Sequence, residues 1–250
     1  MKSPILILIS FLFFSCTIEK VKSDLMYEHL NGNVKSITDS IFEMGGVWAG
    51  KSHSKRLFSY TISNYDKKGN EIVESNYSGG GILFLKRSFQ HDKKGNQIEE
   101  NDEGSNNNAT QKLKSTFNEK GNVIKMVYYD SINKPSGTSI IKYDDKDFIC
   151  EEDQYKLDGS LSIKEIYKTD TIGNPIKVIE QSDSDTNITT YTYDEKGNLI
   201  EYCSFHSNDS LIFKTVYKYE NYDEIGNWHI KCDFREDKLR YITKRKIEYY

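Results

Sequence analysis

The sequence predicts an all-β protein, an antiparallel meander of about eight two-stranded hairpin repeats that form one long curled, solenoid-like sheet. The first observation behind this is a recurring phrase. It reads Tyr65-Asp66-Lys67-Lys68-Gly69-Asn70, His91-Asp92-Lys93-Lys94-Gly95-Asn96 and Phe117-Asn118-Glu119-Lys120-Gly121-Asn122, and returns as Thr169-Asp170-Thr171-Ile172-Gly173-Asn174, Tyr193-Asp194-Glu195-Lys196-Gly197-Asn198 and Tyr222-Asp223-Glu224-Ile225-Gly226-Asn227. A degenerate copy, Tyr143-Asp144-Asp145-Lys146-Asp147-Phe148, fills the gap. With Asp147 in place of the missing glycine, the glycine positions step by 26, 26, 26, 26, 24 and 29 residues. A period of this size marks a repeat architecture. The second observation is that stretches rich in β-branched and aromatic residues flank the phrase, such as Ile188 to Tyr193 before it and Val123 to Tyr129 after it. They suit strands and are short enough for them.

The phrase itself reads as a turn. Asp or Asn suits the first position of a type I turn, where its side chain bonds backbone N–H groups, and glycine three residues later suits a left-handed conformation. Gly69, Gly95, Gly121, Gly173, Gly197 and Gly226 are therefore expected to form the turns of hairpins with a G1 bulge. A looser turn is expected to close each unit at the other edge, near Ser78 to Gly81, Gly104 to Asn108, Lys134 to Gly137, Asp158-Gly159, Asp183 to Thr186, Asn208-Asp209 and Glu236-Asp237. Asn31-Gly32-Asn33 opens the array, and a loop around residues 43–55 absorbs the longer first interval.

The third observation is a pair of residue columns. Ile72, Ile98, Ile124, Ile176 and Ile200 stand three residues after their glycine. Tyr65, His91, Phe117, Tyr143, Tyr193 and Tyr222 stand four before it. A fixed offset from the turn fixes the face of a strand, so these columns are expected to form the buried face of the sheet. The alternative is an exposed aromatic ladder in which Tyr65, Phe117, Tyr143, Tyr193 and Tyr222 stack on sugar rings. About sixteen strands are more than a flat open sheet holds, so the sheet must curl, split or wind. A sixteen-stranded outer-membrane barrel fails on Asn96 to Asp102, a strand with no face for lipid.

The N-terminus reads as an address. Lys2 precedes an apolar run from Ile5 to Phe14, too short to span a bilayer, and then Ser15-Cys16. A small residue before a cysteine resembles a bacterial lipoprotein processing site, although Phe13 stands where leucine is usual. The expected organisation is a signal peptide at 1–15, a tether at 16–26 carried by lipidated Cys16, and a repeat domain at 27–250. A plain secretory signal cut nearby and an uncleaved anchor are the alternatives. Thr17 to Asp24 is not acid-rich, which leaves the periplasmic side and the cell surface both open.

Composition excludes some partners. Thirty-four basic and 38 acidic residues give a formal charge of −4, which becomes −5 once Lys2 leaves with the signal. With no basic arm or arginine-rich stripe, nucleic acid is not an expected partner. The hydrophobic content of 36% and mean hydropathy of −0.69 are low for a thick core.

Several motifs tempt and fail. Gly45-Gly46-Val47-Trp48-Ala49-Gly50-Lys51-Ser52 fits the letters of a phosphate-binding loop, but that chemistry needs a following helix, and Lys55 to Ile62 reads as a strand. Cys203 and Cys232 fall in one column of successive units, two strands apart, too far for a disulfide without rearrangement. Cys203 with His206 and His229 with Cys232 have metal-like spacing, yet residues three apart on a strand face opposite ways. Asp144 to Asp147 and Asp183 to Asp185 match no full calcium loop. No nucleophile elbow, zinc helix or isolated carboxylate pair stands out. No catalytic residue, metal or cofactor is therefore expected.

The Tyr-Asp-x-x-Gly-Asn array over residues 60–230 resembles the YD repeats of the RHS family, and the tail from Gly226 to Tyr250 looks like the end of short YD-repeat lipoproteins of Bacteroidetes. That resemblance implies YD-type β hairpins and a class-level association with carbohydrate. In large members of the family the repeats build a shell around a C-terminal toxin; this chain has few units and no such domain. The functional expectation is a non-enzymatic, lipid-anchored protein of the outer membrane or cell envelope. Its repeat surface binds a partner or acts as a scaffold. The alternative is a carbohydrate-binding module that uses the aromatic columns. Expected partners are the membrane, through the anchor, and an envelope protein or a glycan.

Overall fold

In the computed structural model, which describes residues 23–27, 29–48, 51–105 and 109–250, the chain forms one closed antiparallel β-barrel of sixteen strands. The signal segment and Cys16 lie outside the described residues. After a single helical turn, α1 (Asp24–Tyr27), come β1 (Val34–Trp48), β2 (Lys51–Tyr65), β3 (Glu71–Ser78), β4 (Leu83–His91), β5 (Gln97–Gly104), β6 (Ala109–Phe117), β7 (Val123–Tyr129) and β8 (Pro135–Tyr143). β9 (Ile149–Tyr155), β10 (Leu161–Thr169), β11 (Pro175–Ser182), β12 (Thr186–Tyr193), β13 (Leu199–His206), β14 (Leu211–Tyr222), β15 (Trp228–Arg235) and β16 (Lys238–Tyr249) complete the wall.

Each strand pairs with its chain neighbours, and β16 closes on β1 in a register from Val34↔Tyr249 to Glu43↔Tyr241. Closure overturns the expected open, solenoid-like sheet. Twisted hairpins added one after another curl the sheet until the last strand meets the first, and joining them removes two edges of unpaired N–H and C=O groups. Residues 43–55 are also not a loop. They continue β1 and β2, with Gly46 opposite His53 and Trp48 opposite Lys51. The sequence Gly45 to Ser52 thus lies at the tip of a hairpin, with 49 and 50 outside the described residues.

The tight turns follow their predicted chemistry. Asp66 accepts from Lys68 N at 2.7 Å and Asn70 N at 3.0 Å through one carboxylate oxygen, and from Asn70 Nδ2 at 2.9 Å through the other. The same set recurs at Asp92–Asn96, Asp170–Asn174 and Asp194–Asn198. Asp147 takes the glycine position at φ +63°, against +86° for Gly69. On the other edge, 130–134, 156–160 and 206–210 repeat this turn, with left-handed Asn133, Gly159 and Asp209. Lys134 to Gly137 is accordingly not the turn: it closes at Lys134, and Pro135 already begins β8.

The isoleucine column is not buried. Every tight hairpin but β14–β15 shifts register after its turn: Tyr65 faces Glu71 but Asn64 faces Val73, and His91 faces Gln97 but Gln90 faces Glu99. The skipped residues are Ile72, Ile98, Ile124, Ile176 and Ile200. Ile72, Ile98 and Ile124 are 42%, 37% and 37% exposed. A bulge residue breaks strict alternation, so counting faces across it from the turn puts the column on the wrong side.

Alternation elsewhere gives the wall two distinct faces. The outer face carries ion pairs along its length. Glu99 takes Lys112 and Lys114 at 3.2 and 3.4 Å, Glu151 and Asp153 gather Lys142 and Lys164, and Glu201 takes Lys214 at 2.6 Å. Where these pairs stand the face is charged, unlike the apolar band with which a barrel meets lipid. The inner face is polar and aromatic. On β3–β5 Arg87 stands 3.3 to 3.7 Å from Glu74, Glu100 and Asp102. On β7–β10 Tyr128 meets Ser139 at 3.1 Å, and Tyr167 donates to Glu165 at 2.9 Å. On β12–β14 the rings of Tyr191, Tyr202 and Phe213 follow one another at 5.5 and 5.3 Å. Sixteen strands enclose a bore wider than side chains fill, which is why few residues are fully buried and polar groups can line the inside.

The main apolar cluster lies at the closing seam. Leu25, Val34, Ile37 and Tyr65 are at most 7% exposed there, with Leu30 and Ile247 packed against them.

A candidate binding site at the strapped mouth

The tight turns ring one mouth of the barrel, and the segment that precedes β1 crosses it. Leu25 N donates to Gly69 O at 3.3 Å in the β2–β3 turn. Asp24 accepts from Glu71 N at 2.6 Å, and its carboxylate lies 3.1 Å from His91 Nε2 at the end of β4. On the far side the His29 ring lies against Gly197, in the β12–β13 turn: a Cβ at Gly197 would fall 2.9 Å from His29 Nδ1. Asn31 then pairs with Asn227 in the β14–β15 turn, N to Oδ1 at 2.9 Å and O to Nδ2 at 2.9 Å. The turns of β4–β5 and β12–β13 stand half a ring apart, so this strap runs across the opening. Five residues reach at most about 17 Å, so the wall must draw in at this end.

Beneath the strap, on the His29 side, lies a cavity of about 390 Å³ lined by His29, Asn174, Pro175, Tyr193, Gly197, Asn198, Leu199, Tyr219, Trp228 and Arg245. Tyr193 donates to Pro175 O and Tyr219 to Leu199 O, each at 2.9 Å. Their hydroxyls are thereby committed to the wall, and the two residues line the cavity. Burial pushes both phenols up, helped at Tyr193 by Asp170 and at Tyr219 by Tyr217, so both stay protonated and keep donating. The Tyr219 and Trp228 rings meet at 5.4 Å, tilted 56°. Arg245 lies over Trp228 at 3.7 Å while its guanidinium holds Asp39 at 2.9 and 2.6 Å. Deeper in, the Lys231 ammonium stands 5.7 Å from the Trp228 ring and 5.6 Å from Tyr217, and burial holds its pKa below the ordinary lysine value. Aromatic faces, side-chain amides and oriented cations around a concave space are the equipment of a site for a hydrophilic ligand with apolar faces.

Of the ligand-stacking column, the cavity gathers Tyr193 alone. Tyr65 is 1% exposed in the seam cluster. Tyr143 donates to Val123 O at 2.8 Å, Phe117 is half-buried, and Tyr222 has Lys196 Nζ 3.4 Å from its ring centre. Tyr219, Trp228, Arg245 and His29 were missed. The signal for Tyr219 was present in the 29-residue step. Tyr143 and Tyr193 bond the carbonyl two residues beyond the preceding turn glycine, and in the longer unit Tyr219, three residues before the phrase tyrosine, makes that bond. The extra length sits at Asn221, at φ +55°. Among the described residues no group of histidine, cysteine and carboxylate side chains is placed to hold a metal. Cys203 and Cys232 lie on β13 and β15, with β14 between them.

No protein-family model and no characterised protein matches the sequence. Among solved structures the chain is similar to a porin-like protein from Bacteroides uniformis, at 11% identity and a TM-score of 0.58, over 86% of this chain and 96% of that one. It also matches a porin-like protein from Bacteroides vulgatus at 13% identity and a TM-score of 0.41, over 87% and 98% of the two chains. A match to TcdB2-TccC3 has 12% identity and a TM-score of 0.36, over 75% of this chain and 11% of that one. At these identities the first match establishes a shared β-barrel fold and nothing about activity.

Proposed function

We propose that this chain is a non-enzymatic envelope lipoprotein, anchored through Cys16, whose barrel binds a hydrophilic ligand at its strapped mouth. The observation that carries the binding reading is the cavity under the strap, where Tyr193, Tyr219 and Trp228 supply faces and Asn174, Asn198 and His29 supply polar edges. The lipoprotein reading rests on the N-terminal pattern. Its finer form, a YD-repeat lipoprotein of the outer membrane or cell envelope, rests on the repeat array and its turns. The outer-face ion pairs argue for a barrel held beside a membrane over one inserted in it. The test is a crosslinked affinity pull-down from the native envelope, assayed for protein and polysaccharide, with a Cys16→Ala variant in parallel. A discrete saturable partner supports the reading; retention of Cys16→Ala in the membrane fraction overturns the anchor.

A glycan is the second reading, favoured by the pairing of tilted aromatic rings with side-chain amides around the cavity. In a Trp48→Phe protein, Trp228 is the sole tryptophan of the chain's two. Saturable fluorescence changes with saccharides, lost on Tyr219→Ala, support it. A flat response across neutral and acidic saccharides overturns it.

A further inference from the structure

Both mouths carry exposed apolar turn tips, Ile82, Ile132 and Leu157 at one, at 68%, 66% and 70% exposure, and Ile172 at the strapped one, at 70%. At the strapped mouth the first two tight turns present four exposed lysines, Lys67, Lys68, Lys93 and Lys94. The carboxylates beside them, Asp66 and Asp92, point into their own turns and bond Asn70 and Asn96. In the other tight turns Lys120 is bound to Asp147 at 2.7 Å and Lys196 covers Tyr222. Lys146 is exposed beside Asp144 and Asp145, and Glu119, Glu195 and Glu224 are exposed, so the basic rim is confined to the first two turns. Of the four, Lys67 alone has an aromatic neighbour, Tyr250, at 5.7 Å. The chain arrives at the same place, because Ser23 and Leu25 lie against Gly69. Cys16 is seven residues before Ser23, a reach of about 25 Å at most, and Lys20 and Lys22 lie between them.

From this placement we propose that the turns at Lys67-Lys68 and Lys93-Lys94 dock on the anionic phosphate headgroups of the membrane that holds the anchor. The rim that carries these two turns then faces the lipid, and the acidic turns across the mouth tilt away from it. The proposal rests on the lipoprotein reading for its geometry. The anchor brings this end to the surface, within the range where lysines feel a charged bilayer. The anchor itself holds the protein at the surface, and the lysines set its orientation there.

The test is amine footprinting of the mature protein purified from the envelope, on phosphatidylglycerol-rich vesicles and on pure phosphatidylcholine vesicles. The expected result is a several-fold loss of acetylation at Lys67, Lys68, Lys93 and Lys94 on the anionic vesicles alone, reversed by high salt, with Lys134 and Lys156 unchanged. Substituting the four with glutamate is expected to weaken association with anionic vesicles about tenfold or more. Equal labelling of the four on both vesicles overturns the proposal. Failure of the anchor reads out separately, as unmodified Cys16 in the intact mass and no sedimentation with phosphatidylcholine, and leaves the footprint on anionic vesicles to decide the docking.

Discussion

Asn227 grips the backbone of Asn31 with both ends of its side-chain amide, Oδ1 on N and Nδ2 on O, each at 2.9 Å. The residue is an ordinary turn asparagine of the repeat. In four other units its counterpart bonds the turn aspartate, as Asn198 bonds Asp194 at 2.9 Å. Here it has been turned outward to hold the strap, and it also donates to the Tyr249 hydroxyl at 2.8 Å. Asn227→Ala should therefore cost about 1–3 kcal/mol, since it leaves buried partners unmade. It should also speed hydrogen exchange at the Asn31 amide. Asn198→Ala should cost less and leave Asn31 unchanged. Chemical denaturation with amide exchange separates the two.

Gly69 and Gly159 have nearly the same φ, +86° and +83°, but different surroundings. A Cβ at Gly159 meets nothing within 4 Å, whereas one at Gly69 falls 2.9 Å from Leu25 Cδ1. Gly159→Ala should show the backbone cost alone, about 1–2 kcal/mol. Gly69→Ala should cost more and loosen Leu25. Equal losses in a thermal melt would show that the strap contributes nothing to stability.

Acid is expected to act in two opposed stages. Burial raises the carboxyls of Glu100, Asp102, Glu152 and Asp233, with Asp102 adding to the effect at Glu100 and Glu165 at Glu152. A carboxyl whose folded pKa lies above its unfolded one takes up its proton first in the folded state, so stability rises as the pH falls from neutral toward the ordinary values near 4. The turn carboxyls of Asp66, Asp92, Asp170 and Asp223 are partly buried, but their hydrogen bonds outweigh that burial and hold them below the ordinary 3.8. Their contribution is present above that value and is lost as the pH falls through their lower folded values. The melting temperature should thus pass through a maximum between about pH 4 and 6. Glu152→Gln should raise it at neutral pH and flatten the rise. Calorimetry from neutral to strongly acid pH gives the answer.

Tyr219 and Tyr222 sit three residues apart and look interchangeable in the repeat. The Tyr219 hydroxyl bonds Leu199 O at 2.9 Å, while that of Tyr222 has only Asn198 Nδ2 at 3.4 Å. Tyr219→Phe should cost about 1 kcal/mol and Tyr222→Phe close to nothing. The reverse order in urea unfolding would mean that the phrase tyrosine, and not its upstream neighbour, anchors this unit.

What could be read from the sequence follows from range. Turn chemistry is local, so the glycine positions and even the stand-in Asp147 were legible from six residues of context. The strand count followed from the period. Closure depends on accumulated twist and on whether Val34 meets Tyr249, which no local window contains. The face of Ile72 and its equivalents failed for a definite reason, the bulge that skips them. The mouth site was hidden for another: His29, Tyr219, Trp228 and Arg245 come from the strap and three strands, and the phrase that aligns the repeats points to Tyr222 instead.

Because β1 pairs with β16, the number of repeats sets a circumference rather than a length. An open array can gain or lose a 26-residue unit at its end and keep its cross-section. Here the same event would change the bore by two strands and leave the strap the wrong size for the opening it crosses. Duplication and deletion of units, the ordinary currency of repeat proteins, would in this ring act as a coarse adjustment of calibre, whereas the unequal 24- and 29-residue steps are accommodated with the sixteen strands closed in one ring.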